Sequence, residues 1–376
     1  MPSLTDRLLP VVRPYGRRIQ RRLDGWLAAL AERESPGSAS RAAAGVLAKA
    51  RAGLVYNLEG RAGRLQYWHG AEVSGGQPLR AAYLGDAQGY KVASPEYLRH
   101  ILLQPEGQAV QEPPSNSAFP MRRVRSAAEE AAKAAGLVIV EGSDLLRWQP
   151  DRGVWGWLPT WVRMVVTFRP GQTWDEIQAA MRKHRDNIRR AQTGGFTFAV
   201  SRRPEDFEFF YHRMHLPMLN ERHGEYGVAD KKETLAGQFR QGLLFFVMHD
   251  GRPVAGGLRY LRGRSVYGLA SGVLDGDPAW NRQGAVAFLY LESIRWCFEH
   301  GYRRYDLGGV RPFASDGLYR FKYRWGARPE RDLWLGRSWL FWAPSGSPAA
   351  LDWLRAHPPA PVPGLWGGPG FSPPQD

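Results

Sequence analysis

The sequence predicts an α/β protein whose best-defined part is a mixed sheet with flanking helices. Three observations carry that expectation. Short apolar runs of strand length alternate with stretches of helical period through the second half of the chain. An Asp250-Gly251 pair separates the runs Leu243–His249 and Pro253–Leu261, the composition of a tight hairpin. A strand, a long helix, a short strand, a helix and a strand then follow in turn, which requires a crossover and so a parallel pair.

The elements can be justified in chain order. Residues 15–31 read as an amphipathic helix, with Ile19, Leu23, Trp26, Leu27 and Leu30 on one face and Arg17, Arg18, Arg21 and Arg22 elsewhere. Such a helix docks on its own domain or lies on an anionic membrane surface. Residues 34–40 are a linker, and 104–120 is a Pro/Gln/Ser-rich loop. Ala127–Ala135 reads as a helix, and Leu137–Val140 and Arg163–Phe168 as strands. Thr173-Trp-Asp-Glu176 is a capping box opening a helix whose apolar stripe is Ile177, Met181, His184, Ile188 and Ala191; Gly194-Gly195 ends it. Phe196–Val200 is a strand, and a helix runs from Pro204 to about Leu219. After the hairpin, Gly263 turns the chain into the strand Ser265–Ser271, completing a meander. A helix over Gln283–His300, a strand Arg304–Leu307, a turn at Gly308-Gly309, a helix over Gly317–Trp325 and a strand Leu333–Phe341 complete the set. Nine prolines after Ala343 predict an extended or disordered tail.

Length and composition bound the rest. A chain of 376 residues holds two domains with attachments. The single cysteine, Cys297, excludes an internal disulfide framework and any multi-cysteine metal site. His212 and His215 with His223 nearby lack a recognised metal-ligand spacing, so no metal is expected. No apolar run approaches the ~20 residues of a membrane span, and Leu8–Val12 is too short for a secretory core. A cytoplasmic protein is expected, with peripheral contact at the inner membrane face through residues 7–31 as a further possibility. The net charge is +15, with 44 of the 51 basic residues arginine. Three windows account for all of it: residues 7–22 carry +6, 182–190 carry +4 and 301–331 carry +5. The charge therefore favours an anion at particular places more than a generic nucleic-acid affinity.

Several residues are candidates for chemistry. On one continuous helix over 173–192, Arg182, Arg185 and Arg189 fall within roughly a 60° arc. Guanidiniums in such a row can fork onto phosphate oxygens, or form a solvated flank. Lys322, one of seven lysines, is a candidate cation on the 317–325 helix. Asp306 closes a strand just before two glycines that let a substrate approach the backbone; it positions an amine, acts as a base or caps the turn. Tyr305 beside it is core or catalytic. Gly284 begins the long helix, whose free N–H groups can hold phosphate. Trp155, Trp157 and Trp161 read as core or docking contacts, and Cys297 as a buried core thiol.

Three segments resemble one family. Lys183-His-Arg-Asp-Asn-Ile-Arg-Arg-Ala191 is similar to a helix of the Fem-type, GNAT-like transferases. Tyr305-Asp-Leu-Gly-Gly309 and Gly317-Leu-Tyr-Arg-Phe-Lys-Tyr-Arg-Trp-Gly326 resemble two further segments, in order, and Arg222-His-Gly224 resembles a fourth. The resemblance implies two GNAT-like halves: 51–170 degenerate and 171–342 the acyltransferase domain, with a basic arm over 1–50 and the tail over 343–376. It places Lys322 and Phe321 at an oxyanion, with Asp306 and Tyr305 beside them. Arg182, Arg185, Arg189, Arg222, Gly308, Gly309 and Gly284 then serve substrate or phosphate. It implies a transferase with no tightly bound cofactor, moving an acyl group from aminoacyl-tRNA or acyl-CoA to a primary amine. The implied acceptor is a lipid-linked or nucleotide-linked peptidoglycan precursor. Asn281-Arg-Gln-Gly-Ala-Val-Ala287 keeps Gly284 of the loop that holds CoA pyrophosphate but has Val286 where a second small residue is expected. The alternatives are a CoA-dependent N-acetyltransferase and a non-catalytic RNA- or membrane-surface-binding protein of the same fold.

Overall fold

A computed structural model describes residues 62–73, 77–86, 94–103, 118–144, 147–181, 185–223, 232–331, 336–363, 365–368 and 371. The basic arm, including residues 7–31, and Arg182 lie outside the described residues. The chain divides into two compact units, one of residues up to 162 with 311–316 and 331–376, the other of 163–310 with 317–330.

The first unit opens with β1 (Ala62–Val73) and β2 (Gln77–Asp86), an antiparallel pair. Helix α1 (Ser94–Leu103), the short β3 (Ala118–Pro120) and α2 (Val124–Ala131) lead to β4 (Leu137–Ser143), which pairs parallel with β2 from Ala81↔Leu137 to Leu84↔Val140. β5 (Val154–Pro159) follows. The alternating inward residues Ala82, Leu84, Val138 and Val140 share one core with Val124, Ala128 and Trp157.

The second unit begins within β6 (Val162–Thr167), at Arg163. The capping box is present: the Thr173 hydroxyl accepts from the Glu176 N–H at 3.3 Å, and the Glu176 carboxylate accepts from the Thr173 N–H at 2.8 Å. It starts α3 (Trp174–Ala180), which stops at Met181; α4 (Arg185–Thr193) is a separate helix rather than the continuation that the apolar stripe predicts. β7 (Thr197–Ser201), α5 (Pro204–Phe210), a π-helical turn over Tyr211–His215 and α6 (Leu216–His223) follow. The expected single helix from Pro204 is thus interrupted by the π turn. There the Met214 backbone lies directly against Gly272, where any side chain would collide with it.

After α7 (Lys232–Phe239), β8 (Gly242–His249) and β9 (Arg252–Arg262) form the expected hairpin. Asp250 and Gly251 have φ of 49° and 74°, the left-handed pair that matches the strands' own twist. β10 (Ser265–Val273) completes the meander. α8 (Pro278–Gln283) and α9 (Ala285–Glu299) are divided by Gly284 at φ 101°, β11 (Arg304–Val310) runs parallel to β10, and α10 (Gly317–Arg324) and β12 (Arg328–Arg331) close the unit. The sheet order is β12-β6-β11-β10-β9-β8-β7. One of its faces is packed by Phe207, Phe210, Met214, Leu235 and Phe239, the other by Phe196, Ala285 and Leu289.

The chain ends in the first unit, which corrects two expectations. The strand expected to close the second sheet is β13 (Arg337–Ala343), and it does not; it pairs antiparallel with β4 and β5 in the first. The physical reason is a buried ion cluster. Arg337 donates to Asp86 at 2.6 and 3.0 Å and lies 3.4 Å from Glu141, which also accepts from the Tyr83 hydroxyl and the Trp339 indole at 2.8 Å. Removing one partner of such a cluster leaves a buried charge and costs ~3–5 kcal/mol. The tail after Ala343 is not extended throughout: α11 (Pro348–Ala356) buries Ala350, Trp353 and Leu354, and β14 (Trp366–Gly367) adds a short strand beside β5. Proline at the first turn of α11 starts a helix as readily as it breaks one. The first sheet thus has the order β14-β5-β13-β4-β2-β1-β3, and both sheets are mixed, as the α/β expectation requires.

Candidate active site at the end of strand β11

The site is built where a parallel ladder ends. β10 and β11 pair at Ser265↔Arg304, Val266↔Tyr305 and Tyr267↔Asp306, and these are the pairs of that ladder among the described residues. Beyond them β10 carries an irregularity between Gly268 and Ala270, and β11 turns left-handed at Gly308, φ 91°. Two parallel strands that part in this way expose backbone donors and acceptors on facing edges.

Arg259 on β9 supports the irregular step. It is 2% exposed, and its guanidinium donates to the Leu258 and Ala270 carbonyls at 3.1 and 3.4 Å and to the Ser293 hydroxyl at 3.3 Å. The guanidinium also lies over the rings of Phe245 and Tyr305, at 5.4 and 5.6 Å. An arginine inside the strand thereby serves a carbonyl next to the irregularity. Gly257 leaves room for it, since a Cβ there would sit within 2.9 Å of its guanidinium carbon.

Lys322 comes from α10. Apolar Tyr319 and Trp325 fix that helix, and Lys322 itself is buried on the same side. Its ammonium donates to the Gly309 carbonyl at 3.2 Å and stands 3.2 Å from where a Cβ on Gly308 would lie. Glycine at 308 thus answers two demands, a positive φ and room for the cation. Asp306 is also buried. One carboxylate oxygen accepts from the Gly308 N–H at 2.7 Å, the other from the Arg163 guanidinium at 2.7 Å. Phe321 packs edge-on against Tyr290 of α9 at 5.0 Å.

Lys322, Gly308, Gly309, Asp306 and Phe321 therefore stand on two adjoining elements, β11 and α10. Tyr305 is 1% exposed beneath Arg259, and burial pushes its phenol above the ordinary range. Gly284 stands at the N-terminus of α9, where its absent side chain lets the backbone of Arg190 and Ala191 on α4 approach: a Cβ would meet them at 3.1–3.2 Å. Arg185 and Arg189 are exposed on α4, while Arg182 falls outside the described residues. Arg222 lies on α6. Among the described residues no three His, Cys, Asp or Glu side chains come together as a metal site, and no helix is long and apolar enough to cross a membrane.

Sequence reasoning missed Arg163 and Arg259. The signal was there, an arginine among apolar residues in each of two strands, but Asp306 and Ser293, their side-chain partners, lie on other elements.

The mixed sheet and its flanking helices are of the GNAT-like fold class that the sequence predicts. Residues 178–323 match the family model described as an acetyltransferase (GNAT) domain, a stretch that contains the meander, α9, β11 and Lys322. That match supports acyl transfer as the chemistry of this part of the chain. Among solved structures the chain is similar to FemX, at 14% identity over 73% of this chain and 83% of that one, with a TM-score of 0.39. It is also similar to L-PGS from Bacillus licheniformis (13% identity, 78% and 88% covered, TM-score 0.31). A third is the ribosomal-protein-S18-alanine N-acetyltransferase from Escherichia coli (15%, 39% and 91%, TM-score 0.25). No curated protein matches the chain in sequence.

Proposed function

We propose that the second unit transfers an acyl or aminoacyl group from an activated ester or thioester to a primary amine, with Lys322 stabilising the oxyanion. The observation that carries this reading is the buried ammonium fixed against Gly309 where β10 and β11 part. Attack by an amine nitrogen on the donor carbonyl forms a C–N bond and a tetrahedral oxyanion. Collapse breaks the C–O or C–S bond, and the proton lost from nitrogen leaves with the departing alcohol or thiol. A fixed cation in a site with little water lowers the energy of that oxyanion, and losing one such donor typically costs ~10²–10³ in rate.

The donor carries phosphate in both forms we propose, aminoacyl-tRNA and acyl-CoA. The exposed Arg185 and Arg189 support this, because their helix packs by its backbone against Gly284 at the start of α9. A helix start favours an anion through its free N–H groups. The resemblance of the three Fem-type segments supports an amine acceptor on a peptidoglycan precursor, lipid-linked or nucleotide-linked. The arm at 7–31 would bring the enzyme to an acidic inner membrane face. Calorimetric titration with acetyl-CoA, set beside gel shift with charged and uncharged tRNA, tests the donor, and a panel of primary amines tests transfer. Lys322→Ala should keep the fold and lower turnover by about 10²-fold or more. An unchanged kcat would remove Lys322 from the mechanism. Binding of charged and uncharged tRNA alike, with no transfer to any amine, would overturn the enzymatic reading in favour of an RNA-binding protein.

A further inference from the structure

We infer that Asp306 is a positioning residue, held by Arg163, and that this pair sets where the Lys322 ammonium stands. The inference rests on the reading of Lys322 given above and names the residues that hold it in place.

Both carboxylate oxygens of Asp306 are engaged at 2.7 Å, one with Arg163 and one with the Gly308 N–H. At 4% exposure the residue is also shielded from solvent. A carboxylate so engaged is fixed in place by two charge-assisted bonds. Its geometric role is direct. The bond to the Gly308 N–H spans two residues and holds the left-handed turn that aims the Gly309 carbonyl at Lys322. Arg163 lies on β6, on the other side of β11 from β10 in the sheet order, so the clamp ties the turn to a neighbouring strand. The other charges nearby are accounted for: Arg304 on the same strand is held bidentately by Glu330 at 2.7 and 2.9 Å, and Tyr267 stands opposite Asp306 in the ladder. The connection therefore runs from Arg163 through Asp306, the Gly308 N–H and the Gly309 carbonyl to Lys322.

The test reads the cation itself, with no donor present. The full chain has seven lysines, so Nζ-labelled lysine gives a short spectrum in which Lys322→Ala identifies one signal. Arg163→Met and Asp306→Ala should each shift that signal. Asp306→Asn keeps an acceptor for the Gly308 N–H and loses only Arg163, so it should match Arg163→Met. The Arg163→Met/Asp306→Ala double variant should resemble Asp306→Ala alone. In turnover, with whichever donor is used, the single variants should lower kcat by about 10- to 100-fold at nearly constant KM, as expected for a misplaced group. The acidic limb of the pH–rate profile should survive in Asp306→Asn. A Lys322 signal that moves in neither Arg163→Met nor Asp306→Ala overturns the inference. So does loss of the acidic limb in Asp306→Asn, which would make Asp306 a base. If Lys322→Ala turns over normally, the functional reading fails alone, because the spectrum still tests the clamp.

Discussion

Gly308→Ala offers a direct check on how the site is built. The substitution places a methyl group at φ 91°, where its carbon would lie 3.2 Å from the Lys322 ammonium and 3.4 Å from the Gly268 carbonyl oxygen. Holding a non-glycine residue at such a φ costs of order 1–3 kcal/mol. The methyl also crowds the 3.2 Å bond from Lys322 to the Gly309 carbonyl, and hydrogen bonds of charged groups contribute ~1.5–3 kcal/mol. Because the lysine side chain can bend aside, the two costs overlap, and a total loss near 2–3 kcal/mol is expected. For a unit of about 160 residues that is a fall in Tm of roughly 4–12 °C. Turnover should fall further than stability implies, by about 10²-fold, since a displaced cation is lost to the oxyanion. Thermal denaturation followed by tryptophan fluorescence measures the first effect, and single-turnover transfer the second. Gly317→Ala is the control: a Cβ there meets nothing within 4 Å, so both readouts should stay at wild type. A Gly308→Ala protein with unchanged Tm and turnover would refute the reasoning, because neither the turn nor the cation would then be under constraint.

Two further expectations concern ionisation. Burial pushes the Cys297 thiol up, so a disulfide reagent at pH 8 should label the folded chain far more slowly than the chain in denaturant; fast labelling of the native protein would contradict its place inside α9. Burial lowers the pKa of His357 below its ordinary 6.5, and its ring stacks on Trp353 at 4.6 Å. Between the folded and unfolded pKa values the unfolded chain binds the extra proton, so this contribution to stability is present above pH 6.5 and is lost as pH falls through the folded pKa. His357→Asn should flatten the urea midpoint against pH just below 6.5, and an unaltered slope would rule the residue out.

The site was more legible than the boundaries. Lys322 and the glycines at 308 and 309 stood out because a rare residue and two adjacent glycines fall at element ends, where local sequence has meaning. The capping box at Thr173 and the Asp250-Gly251 turn were readable for the same reason, since each is made by neighbours in the chain. By contrast the break between α3 and α4 was hidden. The apolar stripe from Ile177 to Ala191 keeps its period across it, and Ile177, Ile188 and Ala191 are buried on both sides.

By itself the sequence determined the α/β class, the meander and the crossover, because hydrophobic period, caps and turns act over a few residues. The tertiary structure alone decided which sheet receives β13, which arginines enter the core and what holds Lys322. β13 joins the first unit because Arg337 meets Asp86, 251 positions away, and Arg163 finds Asp306 across 143. Charges buried together are favourable only as a pair, and no local pattern records a partner that folding alone brings near.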